Sequence, residues 1–342
     1  MGLEIHIDDF SREQWENCAK HFADYNIYQT WPYQQVRVEM DGQNVSRVIV
    51  TDEGGNPATM CQVRIKNVRF LGLKIGYVQW GPLLRRNDNT DCPVEALRML
   101  RDAYVGAKVN ILRLVPNIWD DDAGKLTGQT IVKSGFQHVS HYEPYHTLRL
   151  GIDTSEEQIR SKWHRNFSSS IKKAQKSALE LRQGTEDEFC GVLEKLYLAS
   201  IKRKGFRGLD IDEFLKIQEL LSLSEKMRFL VAYKDQEPLS VLLASELGDT
   251  GIVLLAATSE KGLSCGSSQF VWYHAALAAK EAGVRILDLG GIDPVKNPTV
   301  YKFKLSMGSE EVFHIGAFEA AANPIVKNVW RIAERVYKYI GR

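Results

Sequence analysis

The chain has no long hydrophobic run, and no stretch approaches the eighteen or so apolar residues that a membrane-spanning helix needs. It has almost no net charge. With 44 Lys and Arg against 43 Asp and Glu, no overall field advertises a nucleic-acid partner, and any basic patch has to be local. Cysteine is sparse and scattered: Cys18, Cys61, Cys92, Cys190 and Cys265 form no CxxC pair, which excludes a disulfide framework and reads as free thiols in a reducing cytosol. The start, MGLEIHIDDF, has neither the basic nor the apolar region of a signal peptide, and His6 stands where a myristoylation site prefers Ser or Thr. A GxSxG elbow and a GxxxxGK[ST] loop are both missing. His138, His141 and His146 lie in a strand-rich segment, not on one helix face, so a zinc site is not expected. What remains is a globular composition, 44% apolar and 25% charged, with 342 residues, enough for two domains with their own cores. The expectation is a cytoplasmic protein with no membrane span, no metal and no tightly bound cofactor.

Taken in order, the chain shows two similar series of elements. Ser11 caps a first helix, and Trp31-Pro32-Tyr33 starts a second, with proline near the N-terminus, where it is tolerated. Strands at Arg47–Thr51, Ala58–Ile65 and Ile75–Trp80 follow, then a helix over about 93–107 and a strand at Val109–Val115. After these come Ile131-Val132 and Gly135-Phe136. In the second half, strands at Arg228–Tyr233, Leu239–Glu246 and Gly251–Thr258 precede a helix over 268–282, a strand at Val284–Leu289 and a further strand around Val300–Lys304. The offset is roughly 175 to 180 residues, and GAKVNILRLVPN in the first half faces EAGVRILDLGGI in the second, as a whole-domain duplication would leave. Each half is expected to be a mostly antiparallel mixed sheet flanked by helices. This order resembles two tandem GNAT-like acyltransferase domains in an α/β (α+β) chain.

Three stretches stand out as chemistry-bearing. Val284–Gly308 runs from a buried strand into the glycine pair Gly290-Gly291, where a ligand can approach the backbone, and then into Tyr301-Lys302-Phe303-Lys304. Asp288 and Asp293 flank that turn as acceptors for an amine proton or as turn caps. The segment Asp153–Arg182 carries a helix with Lys172 and Lys173 among its cations, and Lys202-Arg203-Lys204-Gly205-Phe206-Arg207-Gly208 packs four cations into seven residues, a pattern that suits phosphate oxygens or a helix C-terminus. The segment Ser259–Ser267 places Gly262, Gly266 and Ser267 at a helix start whose free N–H groups can bind phosphate. Trp31 and Tyr33 either line a pocket or wedge between helices.

The runs EPYHTLRLGID, RSKWHRNFSSSIKKAQKSALEL, SIKRKGFRG and, above all, GVRILDLGGIDPVKNPTVYKFKLSMGSEEVFHIGAFE resemble the FemABX aminoacyltransferases, with their D-x-G-G, F-K-x-x-x-G and G-x-x-E signature. The resemblance implies a first domain over 1–147, completed by a C-terminal helix at 323–342, and a second over 148–322 that carries the active site. It implies amide formation, with aminoacyl-tRNA as donor and tRNA as carrier partner, onto an amine of a peptidoglycan-precursor peptide or similar small acceptor. Lys304 would steady the oxyanion beside Phe303, with Asp288 near. Arg203, Lys204 and Arg207 would bind the acceptor's phosphates alongside Tyr301, Gly290, Gly291, Trp31 and Tyr33; Lys172, Lys173, Gly262, Gly266 and Ser267 would serve the donor. The sequence departs from the family in Thr299, where a glycine is usual, and lacks the Arg/Gln-x-x-Gly-x-Gly pattern of coenzyme A-binding GNATs. Acyl-CoA transfer to a sugar or amino-acid amine, and a non-catalytic binding module, stand as the other readings.

Overall fold

The computed structural model describes residues 2–88, 92–204 and 208–340. The chain divides into two compact units, one made of residues 1–145 and 313–342, the other of 146–312. In the first, β1 (Leu3–Ile7) is followed by α1 (Arg12–Ala19) and α2 (Trp31–Asp41), then by β2 (Asn44–Asp52), β3 (Pro57–Val68), β4 (Leu73–Gln79), α3 (Val94–Tyr104), β5 (Ile111–Val115), α4 (Asp122–Lys133) and β6 (Gln137–His138). The local reasons are legible. Ser11 and Gln14 form a reciprocal capping box at α1, Pro32 sits in the first turn of α2, and Asp121 caps α4 by accepting the Gly124 N–H. Ile131-Val132, read with the strands, belongs to the last turn of α4, because the Asp121 cap starts a helix that runs through them.

The second unit holds β7 (His146–Gly151), α5 (Glu156–Ser161), α6 (Arg165–Lys176), β8 (Glu180–Gly184), α7 (Glu188–Lys204), α8 (Ile211–Leu220), β9 (Arg228–Lys234), β10 (Glu237–Ser245), β11 (Thr250–Thr258), α9 (Glu260–Cys265), α10 (Ser267–Glu281), β12 (Ile286–Gly291), α11 (Pro298–Leu305) and β13 (Glu310–Phe313). The chain then returns to the first unit with β14 (Phe318–Ala321) and α12 (Pro324–Ile340). Two expectations are corrected here. Residues 300–304 form helix α11 instead of a strand, because Asn297 accepts the Val300 N–H as a cap and Pro298 is pre-set for the first turn. Residues 313–322 leave the second unit for the first, because β14 pairs antiparallel with β5 and β6.

Among the described residues each unit has one seven-stranded sheet, in the orders β1-β2-β3-β4-β5-β14-β6 and β8-β9-β10-β11-β12-β7-β13. Strand for strand the two correspond, and in both the third and fourth strands of the repeat run parallel (β4 with β5, β11 with β12) within otherwise antiparallel sheets. The strand beyond the parallel pair is supplied from outside the local run, β14 in one unit and β7 in the other. The core of the first unit packs α3 residues Ala96, Leu97, Leu100 and Tyr104 against Val48, Val63, Val78, Leu112 and Leu114. That of the second packs α10 residues Val271, Trp272, Ala275 and Ala279 against Leu230, Leu242, Val253, Leu287 and Leu289, with Phe167 and Ile171 of α6 laid alongside. Helices covering sheets in this order, twice over, make the chain a tandem GNAT-like α/β protein.

Candidate active site

The strands β11 and β12 are hydrogen-bonded in parallel only from Thr250↔Ile286 to Ile252↔Asp288. Past Asp288 the pair opens, and the register of β12 against its other neighbour β7 also slips between Asp288 and Gly291. Gly290 takes φ +82° at that point, and a Cβ there would stand 2.8 Å from the Val253 carbonyl oxygen, so only glycine fits. Asp288 is fully buried: its Oδ1 accepts the Gly290 N–H at 2.8 Å, and Thr147 Oγ1 lies 2.5 Å from the same oxygen and 2.9 Å from the Gly290 carbonyl. The two carbonyls of the glycine pair therefore point in a fixed direction.

That direction is toward Lys304. On α11, the Lys304 Nζ donates to the Gly290 carbonyl at 2.7 Å and the Gly291 carbonyl at 3.1 Å, with only 6% of the residue exposed. Two of the three ammonium N–H groups are thus held, and among the described residues the third has no hydrogen-bond acceptor. Burial drives the Lys304 pKa down to about 8, against the opposing pull of the Asp288 carboxylate. The Trp272 ring lies 5.8 Å from the ammonium. Phe303 turns the other way, packing edge-on against Trp272 at 5.4 Å and near Phe167, and so seats α11 on the core. One turn before Lys304, the Tyr301 hydroxyl donates to Glu311 Oε2 at 2.7 Å, and His146 Nε2 lies 2.7 Å from the other oxygen of that carboxylate. The Tyr301 hydrogen bond holds the Glu311 carboxyl below its usual range, helped by His146.

Several expected site residues have other work. Gly290 and Gly291 grip Lys304 with their carbonyls. Asp288, sealed from solvent, fixes the turn by accepting the Gly290 N–H and pulls the Lys304 pKa upward. At the expected phosphate site of Gly262, Gly266 and Ser267, the two glycine N–H groups are spent within the chain. The segment folds as α9, Gly262 donates to the Ser259 cap at 3.1 Å, Gly266 donates to the Gly262 carbonyl, and the buried Ser267 hydroxyl pairs with Ser240 at 2.5 Å. A Cβ on Gly266 would lie 2.4 Å from the Ser170 carbonyl oxygen, so α6 stands against the start of α10. Arg203 donates to the Thr258 carbonyl at 2.9 Å, tying α7 to β11. Arg207 lies outside the described residues, and so does the side chain of Lys204. Lys172 and Lys173 are exposed on α6, opposite its buried Phe167 and Ile171. Tyr33 is buried in the first unit against Tyr28, and Trp31 is half-buried there against Phe10, Trp15 and the Arg47 guanidinium. They are packing residues.

Thr147, Glu311 and the meeting of His146 and Tyr301 on the Glu311 carboxylate had no signal in sequence, because each partner lies ten or more residues away. The other two histidines of the triplet also go elsewhere: His138 to the Ile315 carbonyl and His141 to Glu334.

A solved structure superposes on nearly the whole of this architecture, covering 98% of this chain and 100% of its own, with a TM-score of 0.80 at 17% identity; it is the crystal structure of FemX. The fold is that of FemX. At that identity the likeness to FemX bears on the fold, and it bears out the FemABX resemblance read from the sequence at that level. Two further solved structures match less closely. The C-terminal domain of a protein described as a lysylphosphatidylglycerol synthetase, from Agrobacterium fabrum, has a TM-score of 0.56 at 14% identity, covering 95% of this chain and 96% of that one. A conserved protein of unknown function from Bacteroides thetaiotaomicron has a TM-score of 0.58 at 10% identity, covering 94% and 100%. No protein-family model matches the chain, and no curated protein matches it by sequence.

Proposed function

We propose that the protein is an N-acyltransferase that moves an aminoacyl group from aminoacyl-tRNA onto the amine of a cell-wall precursor peptide or a similar acceptor. The observation that carries the reading is Lys304: a nearly buried ammonium, clamped by the Gly290 and Gly291 carbonyls where β11 and β12 part, with one N–H uncommitted. Buried ammonium groups are costly, and one aimed by two backbone carbonyls is a preorganised donor for charge that develops during a reaction. The FemX-like fold supports the same chemistry.

In this reading the acceptor amine attacks the ester carbonyl carbon, a C–N bond forms, and the carbonyl π pair moves onto oxygen. The third N–H of Lys304 donates to that oxyanion. Collapse breaks the C–O bond to the ribose, and the departing oxygen takes up the proton that the amine nitrogen gives up. No side chain becomes acylated. What favours this donor over acyl-CoA is that Gly262 and Gly266 spend their N–H groups on Ser259 and on the Gly262 carbonyl, with α6 standing against Gly266. The exposed cations Lys172 and Lys173 suit a polyanionic carrier.

The test is to incubate the pure protein with a pool of charged tRNA and, in parallel, with acetyl-CoA, adding lysine-containing acceptor peptides to each. Consumption of aminoacyl-tRNA with formation of a new amide is the expected result. Consumption of acetyl-CoA alone would overturn the donor, and ligand binding with no transfer by either route would leave a binding module.

A further inference from the structure

Helix α12 has two apolar faces, and only one is covered. Val326 and Trp330 pack with Val68, Leu71, Leu73, Ile75 and Ile111, while Glu334 turns inward to make a two-pronged pair with Arg113 at 2.7 Å. The other face carries Ile325, Val329, Ile332 and Val336 at spacings of four, three and four residues, one straight stripe on the helix. Ile325 is 76% and Ile332 63% exposed. Three of the residues that α12 packs on, Val68, Leu71 and Leu73, lie at the tip of the β3–β4 hairpin, where Phe70 is 84% exposed. Isolated exposed apolar residues are ordinary, but a stripe of four beside an exposed phenylalanine is a surface in want of a partner.

Cations outnumber acids along these two segments, although Asp41 lies near Arg64 and Lys327 is held by Gln137. The hairpin from Arg64 to Lys74 carries Arg64, Lys66, Arg69 and Lys74 and no acid. Between Pro324 and Val336, α12 carries Lys327, Arg331 and Arg335, and its one acid, Glu334, is spent on Arg113. On a chain whose charges otherwise balance, this is the local basic patch that the overall composition hides. Aliphatic residues flanked by cations on an amphipathic helix fit the boundary of an anionic bilayer, where the apolar stripe enters the acyl region and the cations meet the headgroups. Nucleic acid would match the cations but leaves Ile325, Ile332 and Val336 in water; stacking on bases calls for flat aromatic or guanidinium groups.

We infer that the outer face of α12 and the Lys66–Lys74 hairpin tip form a docking surface for an anionic lipid bilayer. The inference does not depend on the reaction proposed above. No helix of the described residues is long and apolar enough to cross a membrane, so attachment here would be peripheral and reversible.

The test is co-sedimentation of the full chain with sucrose-loaded vesicles of phosphatidylcholine, with and without phosphatidylglycerol. The expected result is binding to the phosphatidylglycerol vesicles at low salt that weakens at high salt. Binding should drop about tenfold or more in a Phe70→Ser/Ile332→Ser variant and in a Lys66→Glu/Arg335→Glu variant. Unchanged melting midpoints would show that these surface substitutions leave the fold intact. The inference is overturned if the wild-type chain stays in solution with phosphatidylglycerol vesicles, or if the serine variant binds them as well as wild type. Two further outcomes also sink it, both with vesicles unbound: tRNA binding lost only in the glutamate variant, or a dimer in solution that the serine variant converts to monomer.

Discussion

The two units carry the same strand order, yet their parallel pairs end differently. In the first, β4 and β5 stay paired over five residues, from Ile75↔Ile111 to Gln79↔Val115, and the Gly81 N–H then bonds the Val115 carbonyl. In the second, β11 and β12 part after three. The first unit fills the neighbouring space with its own side chains. Gln29 donates to the Gln79 carbonyl at 2.6 Å and accepts the Gln62 N–H at 3.0 Å, and Gln62 takes the Arg47 Nε–H at 2.9 Å. A Cβ at Gly81 would lie 2.8 Å from the Gln29 amide. The second unit places Gly290, Gly291 and Lys304 at its opening. Where NILRLVPN and RILDLGGI align, Arg113 stands for Asp288: one closes a buried ion network with Glu319 and Glu334, the other turns a loop and holds a lysine. A duplicated sheet thus became a sealed unit and an open one through a few substitutions at the end of a single strand.

If that contrast is right, breaking Arg113 should cost structure and leave chemistry alone. Arg113→Ala strands the Glu319 and Glu334 carboxylates in a buried site, and the expected loss is about 3–5 kcal/mol of stability by denaturant titration. Lys304→Ala should cost chemistry first. We expect on the order of a hundredfold or more off kcat per folded molecule, with a smaller loss of stability, since the Gly290 and Gly291 carbonyls and the Asp288 carboxylate lose their cation while the cost of burying that charge is relieved. An unchanged rate would remove the basis of the proposed reaction. Gln29→Ala, in the sealed unit, leaves the buried Gln62 N–H and Gln79 carbonyl without partners, and should cost about 1–3 kcal/mol with the transfer rate per folded molecule intact.

The smallest effect is in pH. With the Lys304 pKa lowered to about 8, the charged donor is present at neutral pH and is lost as pH rises through about 8. The alkaline limb of kcat should fall there. The sign for stability is opposite. Between about 8 and the unfolded lysine value the unfolded chain binds more protons, so this group makes the fold more stable as pH rises. Asp288→Asn withdraws the carboxylate that holds the lysine pKa up, so the alkaline limb should move to lower pH. A limb that stays in place in a pH–rate profile would show that Asp288 serves the turn alone.

Much of the fold could be read from the sequence, because its signals are local. The Ser11 cap, the period-two strands, and the repeat of hairpin, third strand, helix and fourth strand all act within a few residues. The elements that were misread follow the same logic from the other side. The run Val300–Lys304 has strand-like aromatic residues, but Asn297 and Pro298 start a helix just before it. The glycines of Ser259–Ser267 look like a phosphate loop, but their N–H groups go to Ser259 and the Gly262 carbonyl, and α6, whose last residue is more than eighty positions away in the chain, stands against Gly266.

By itself the sequence determined a tandem α/β chain, its duplication, the glycine pair and the lysine that follows it. Only the tertiary structure decided that the glycines hold the lysine, that Asp288 is sealed beneath them, and that one face of α12 is left uncovered. Caps and periodicity are written in neighbouring residues. Burial, pKa and exposure depend on what the remote chain brings alongside, and no spacing along the sequence encodes them.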